Sequence, residues 1–202
     1  MKHIFKEGYY PDRPVLLLLH GTGGNELSLM ELAENIDERT SVLSVRGNVN
    51  ENGMSRYFRR IAEGIFDEKD LIFRTKELNG FLDQAAEKYH FDRSNIIAIG
   101  YSNGANIAAS LLLQYPDSLK AAILHHPMVP LRDIDKKSLD GKAIFIGAGE
   151  NDPICKPEES KELEEMLKER GARVIVHWEN NGHKLTETEA EAAKDWYNKN
   201  FE

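Results

Sequence analysis

Cysteine is all but missing from this chain: Cys155 is the only one among 202 residues. No disulfide can close within it, so a small secreted fold stapled by disulfides is excluded and a reducing, cytoplasmic setting is expected. Positive charge is also in short supply. The 26 Lys and Arg residues are outnumbered by 34 Asp and Glu, for a formal net charge of -8. That balance argues against nucleic acid and against an anionic membrane surface as partners. Long apolar runs are lacking too. The longest early one, Val15 to Leu19, falls far short of the ~20 residues that cross a bilayer, and it follows Pro11 and Pro14 instead of a basic leader. It reads as a strand, neither anchor nor signal. With no internal repeat, low-complexity tract or linker, residues 1–202 are expected to form a single domain that buries about 70% of its unfolded surface.

What the chain does contain is a regular alternation. Short runs rich in branched residues recur at Val15-Leu19, Val42-Val45, Ile96-Ile99, Ala121-Leu124, Ala143-Ile146 and Val174-Val176, as in strands buried on both faces. Helix-period segments lie between them: Leu71, Leu78, Leu82, Ala85 and Tyr89 in one, and Leu163, Met166 and Leu167 after Pro157 in another. Gly171 is placed to end the latter. The last helix opens on Thr186-Glu187-Thr188-Glu189, a capping-box spacing, with Ala190, Ala193, Trp196 and Tyr197 as its apolar stripe. Such alternation predicts an α/β fold, a mostly parallel central sheet flanked by helices on both sides. Met1 to Tyr10 is expected to add an edge strand.

Gly100-Tyr101-Ser102-Asn103-Gly104 is the most informative stretch. It follows Ile96-Ile99 and opens a small-residue helix, the strand-turn-helix setting in which G-x-S-x-G presents a nucleophile above a sheet edge. Ser102 is the candidate nucleophile. A serine is weak at neutral pH unless a base lies within hydrogen-bond reach, itself oriented by a third group. In open parallel sheets the crevice lies beyond the carboxyl ends of the strands, so the partners belong in the loops there. Gly147 to Pro153 supplies Asp152, and Asn180 to His183 supplies His183. The order Ser102, Asp152, His183 is the α/β-hydrolase order and neither common serine-protease order. Histidine suits the base role because its ordinary pKa near ~6.5 lets it take the serine proton and return it to the leaving group. Glu150 is the rival for the orienting acid, with Asp133, Asp135 and Asp140 weaker ones. The oxyanion donors are expected at Thr22 N–H, in His20-Gly21-Thr22-Gly23-Gly24 after the first core strand, and at Asn103 N–H, next to the nucleophile.

Competing readings fail on spacing. Gly21-x-Gly23 has Glu26 where a dinucleotide fingerprint needs glycine, and no Gly-Lys-Ser/Thr follows, so no nucleotide cofactor is expected. His125 and His126 invite a metal, but neighbours on a strand project to opposite faces, so structural or pocket-lining roles are assigned and no metal. Met128, Val129 and Pro130 are candidate pocket walls. Gly47 to Lys69, carrying Arg56, Tyr57, Phe58, Arg59 and Arg60, is of a length that is often functional in a compact domain, and its plainer reading is a surface excursion with one short helix, its charges solvated and its aromatics tucked in.

Taken together, Leu19-His20-Gly21-Thr22-Gly23, Gly100 to Asn106, Asp152 and Gly182-His183 resemble the phospholipase/carboxylesterase family of α/β-hydrolases, the small predicted-esterase group, over nearly the whole chain. The resemblance implies hydrolysis of small-molecule carboxylic or thio-esters through an acyl-serine intermediate, without metal or cofactor, often in a homodimer. Many relatives carry Gln where this chain has Asn103, a difference that bears on substrate preference. Only Pro127 to Gly141 is available where lids usually enter this fold, too short for a helical cap, so no lid domain and an open crevice are expected. Two other functions use the same residues. A thioesterase would differ only in its leaving group, and a binding module on the hydrolase fold would lack turnover.

Overall fold

The computed structural model describes all residues, 1–202. Its centre is a seven-stranded sheet built from β1 (His3–Lys6), β2 (Val15–Leu19), β3 (Val42–Val45), β8 (Ile96–Tyr101), β9 (Ala121–His125), β10 (Ala143–Gly149) and β11 (Arg173–Glu179), in the order β1-β3-β2-β8-β9-β10-β11. Every pairing is parallel except that of β1, the edge strand expected near the start, which runs antiparallel to β3. Between β3 and β8 lie two small hairpins, β4 (Val49–Glu51) with β5 (Met54–Arg56) and β6 (Arg60–Ala62) with β7 (Ile65–Phe66).

Alternate residues of the strands feed two cores, as a two-residue side-chain period requires. Leu17, Leu19, Leu43, Ala98, Leu124 and Ile146 face one layer, formed by α2 (Glu68–Tyr89), α3 (Asn103–Gln114) and α4 (Pro157–Lys168). Leu16, Leu18, Ile97, Ile99, Ile123 and Phe145 face the other, formed by α1 (Met30–Asp37) and α5 (Glu187–Phe201). Burial on both faces explains why these strands are unbroken apolar runs.

The helix ends follow local chemistry. Asp67 caps α2 by accepting from Asp70 N, and Thr186 caps α5 by accepting from Glu189 N at 3.2 Å. Helix α1 has no side-chain cap, and no capping signal announced it. It is held by burying Leu32, Ala33 and Ile36.

The Gly47 to Lys69 segment departs from expectation. It contains no helix before α2, only the two hairpins, and Arg56 is buried with the aromatics instead of solvated. Tyr57 N donates to Asn103 Oδ1 at 2.7 Å, and the Tyr57 hydroxyl accepts from His20 N at 3.0 Å while donating to Val45 O. These bonds pin the excursion onto the sheet edge, where it becomes a wall and not a surface decoration. Pro127 to Gly141 carries no helix and forms no cap.

The sheet reverses direction of winding between β2 and β8, because β3 continues to one side of β2 and β9 to the other side of β8. Ligands in open α/β sheets bind beyond the strand ends at such a switch point. The loops carrying Thr22 and Ser102 leave the sheet there.

Candidate active site

Ser102 sits between β8 and α3 with φ 51° and ψ -112°, a backbone conformation rarely held by a side-chain-bearing residue. The flanking glycines make the turn possible. A Cβ at Gly100 would lie 2.7 Å from Ala105 Cα, and one at Gly104 would run into Leu19 O. Asn103 is the first residue of α3, so its N–H has no intrahelical acceptor and the positive end of the helix points at the space beside Ser102.

Three side chains from separate loops meet here. Ser102 Oγ donates to His183 Nε2 at 2.9 Å, and His183 Nδ1 donates to Asp152 Oδ2 at 2.7 Å. Asp152 is buried, and its Oδ1 accepts from Ile154 N at 2.8 Å and Cys155 N at 2.9 Å. Burial would raise its pKa, but the bonds from His183 and the two backbone groups hold it below the usual carboxylate range. The rivals Glu150, Asp133, Asp135 and Asp140 are all exposed.

The His183 loop is tied at several points. Tyr101 donates its hydroxyl to His183 O at 2.6 Å, and Gly182 N donates to Asn151 Oδ1 at 2.8 Å. Burial and the nearby Asp152 charge push the Tyr101 phenol up to about 12, so it stays a donor at neutral pH. Glu179, at the end of β11, accepts from Thr186, Thr188 and Asn181.

Thr22 and Asn103 line the same cavity as Ser102 and His183. The Thr22 loop is fixed by His20, whose Nε2 accepts from Gly47 N at 3.1 Å, leaving Nδ1–H to donate to Gly21 O at 2.6 Å. Burial depresses the His20 pKa, consistent with a neutral ring. Arg56 Nη1 donates to Thr22 Oγ1 at 2.7 Å. Asn103 borders the cavity, and its side-chain carbonyl holds the hairpin segment through Tyr57 N.

The cavity is about 310 Å³ and is walled by the hairpins through Met54, Arg56, Arg60 and Phe66. Of the three residues expected after β9, only Met128 lines it; Val129 packs into the core. Cys155 also borders it, but burial pushes its thiol pKa far up, so it offers no thiolate to compete with Ser102.

The two histidines after the elbow helix behave differently from the strand rule. His125 ends β9, but His126 has φ 52° and has left the strand, so both rings reach the same carboxylate, Glu189. Glu189 had the spacing of a capping-box partner. Its N–H meets Thr186, but its carboxylate turns inward and is fully buried. Ligand atoms of His126, Asp152 and His183 lie within 4.8 Å of one another, close enough for a metal. Both rings already direct Nδ1 at Asp152 Oδ2, so an ion there would displace both bonds.

Comparison with known proteins agrees with this architecture. Residues 52–201 match the dienelactone hydrolase family. The chain is 56% identical over 197 residues, 98% of each chain, to a Bacillus subtilis (strain 168) protein named "Putative hydrolase MhqD". It superposes on the Bacillus cereus carboxylesterase with TM-score 0.98 at 65% identity, covering 100% of this chain and 95% of that one. YahD, solved with malic acid, aligns with TM-score 0.94 at 35% identity over 98% of both chains.

Proposed function

The chain belongs to the dienelactone hydrolase family and is an ester-hydrolysing enzyme of the α/β-hydrolase fold, and from that premise we propose that it is a serine carboxylesterase acting on small carboxylic esters through an acyl-serine intermediate. The observation that carries this reading is the unbroken line from Ser102 Oγ through both nitrogens of His183 to Asp152, at 2.9 and 2.7 Å, on the edge of an accessible cavity.

In the first half-reaction Ser102 Oγ attacks the ester carbonyl as His183 Nε2 takes its proton. Asp152 keeps the imidazole in the tautomer that leaves Nε2 free to accept, and it steadies the imidazolium that forms. The new alkoxide is met by the N–H groups of Thr22 and Asn103, helped by the amino end of α3. Each such donor is worth on the order of 3 kcal/mol of transition-state stabilisation. His183 then returns the proton to the departing alcohol. Water repeats the sequence against the acyl-serine, frees the acid and restores Ser102.

Small substrates are favoured by the cavity, which at about 310 Å³ lies at the low end of ligand pockets. Arg56 and Arg60 on its wall add polar donors, and YahD was solved with malic acid, which makes esters with oxygen-rich acyl groups the first to screen. A thioesterase would use the same residues, with a thiolate leaving group. Matched oxygen and sulfur esters of one acyl group separate the two.

The test is fluorophosphonate labelling and ester turnover in the parent and in Ser102→Ala. Labelling and turnover that both vanish in the variant support the proposal. A parent that neither labels nor turns over any ester or thioester would instead indicate a binding module on this fold.

A further inference from the structure

The hydrogen bonds do not stop at Asp152. Its Oδ2 accepts from His183 Nδ1 at 2.7 Å and also from His126 Nδ1 at 2.9 Å. His126 Nε2 lies 3.0 Å from Glu189 Oε2, and the other oxygen of Glu189 is bonded to His125 Nδ1. The side chains of His125, His126, Asp152 and Glu189 are all at most 1% exposed. Each ring nitrogen of His126 thus faces a carboxylate oxygen. With both carboxylates ionised, as the bonds that lower their pKa values favour, an unprotonated nitrogen at either place would set lone pair against lone pair in a buried site, which favours a ring that carries hydrogen on both and is a cation.

The surroundings are shaped to keep it there. His126 holds a left-handed φ of 52°, with its N–H donating to Gly147 O at 2.7 Å. A Cβ at Gly147 would occupy the space of the Glu189 carboxylate. A strained backbone, a missing side chain and a carboxylate buried at the start of α5 converge on one ring that the proton shuttle itself does not include.

We propose that His126 is a positioning residue for ester hydrolysis, a buried imidazolium held between Asp152 and Glu189 that clamps Asp152 against His183 and sets the charge His183 experiences. The inference rests on the Ser102, His183 and Asp152 reading above. The groups around His126 are Asp152 after β10, Glu189 on α5, the His183 ring at 5.1 Å after β11, the Tyr101 ring at 6.0 Å on β8, and His125 on β9 through Glu189. Cys155 is buried beside Asp152. Burial alone would lower the His126 pKa, but Glu189 and Asp152 outweigh it and raise it, while the bonds from His125 and His126 overcome burial and bring Glu189 down to about 2. This positive charge lies beside the Ser102 and His183 pair, 5.1 Å from the His183 ring, so its removal is expected to show in the pH dependence of turnover.

His126→Asn separates charge from hydrogen bonding, because the Asn amide can still donate to Asp152 from the Nδ1 position but is neutral. The acid limb of the kcat/KM profile is expected to move up by on the order of 1 pH unit, with kcat down about 10-fold and KM within about twofold. The double variant His126→Asn/Glu189→Gln leaves no unpaired buried anion and should shift the limb in the same direction if the single variant does not fold. Ring 15N NMR of the histidine-labelled parent at pH 8 reads the same state without mutation. One buried histidine with both nitrogens protonated, and absent from the variant, is expected. An unshifted acid limb in a folded variant, or a neutral His126 at pH 8, overturns the proposal. Loss of all turnover in Ser102→Ala alongside either result would show that the triad reading survives and only the inference fails.

Discussion

Asp152→Asn tests the site most sharply, because the structure dictates which way the new amide must face. Oδ1 accepts from two backbone N–H groups, Ile154 and Cys155, that cannot turn into acceptors. The Asn carbonyl therefore takes that side, and its NH2 points at His183 Nδ1 and His126 Nδ1, where Oδ2 had been. Donor against donor forces the His183 proton onto Nε2, which then donates toward Ser102 Oγ and cannot accept from it. The base is lost although the shape is kept. The expected fall in kcat is roughly 10³ to 10⁴-fold, with KM within a few-fold. At about 1.36 kcal/mol per factor of ten that is about 4–5.5 kcal/mol of barrier. Asp152→Ala lets the ring adopt either tautomer and is expected to retain more activity than Asn. The assay is initial-rate hydrolysis of p-nitrophenyl acetate, with thermal melting to establish that each variant is folded. A folded Asn variant within tenfold of the parent, or one more active than Ala, would refute the reasoning.

Three further outcomes follow from the structure. A p-nitrophenyl ester series should give its highest kcat/KM at acetyl to butyryl and decline with longer chains, given a cavity of about 310 Å³; a maximum at long acyl groups would contradict the size argument. Tyr57→Phe strips the acceptor from His20 N and the donor from Val45 O, both buried, and should lower stability by about 1–3 kcal/mol in a denaturant titration. An unchanged midpoint would show that the hairpin segment is not pinned there. Stability should also fall on both sides of a broad optimum. Glu189 is held at about 2, below its ordinary value of 4.5, so its contribution is present above pH 4.5 and drains away as pH falls toward 2; His126 is raised above 6.5, so its contribution is present below that and is lost as pH rises through its folded value. Melting temperature against pH should show this, and Glu189→Gln should flatten the acid side; an identical acid slope in the variant would rule it out.

Local pattern was sufficient for much of this protein. Six core strands, four of the helices, the edge strand, the elbow turn at Ser102 and the loops that carry Asp152 and His183 are written in runs of a few residues, because strand burial, helix period and turn chemistry are short-range constraints. Where local rules met distant partners they misled. The capping-box spacing of Glu189 and the strand alternation of His125 and His126 are valid in isolation, yet a left-handed residue at His126 and the space left by Gly147 turn all three side chains toward one buried cluster. The hairpins of Gly47 to Lys69 likewise owe their place to Asn103 and His20, from other parts of the chain. Sequence alone determined most of the regular elements and the order in which they deliver their loops, but it did not foretell α1 or the two hairpins. Only tertiary structure decided how those loops bond to one another, because a buried polar group takes whatever partner the fold brings within about 3 Å, however far away along the chain that partner lies.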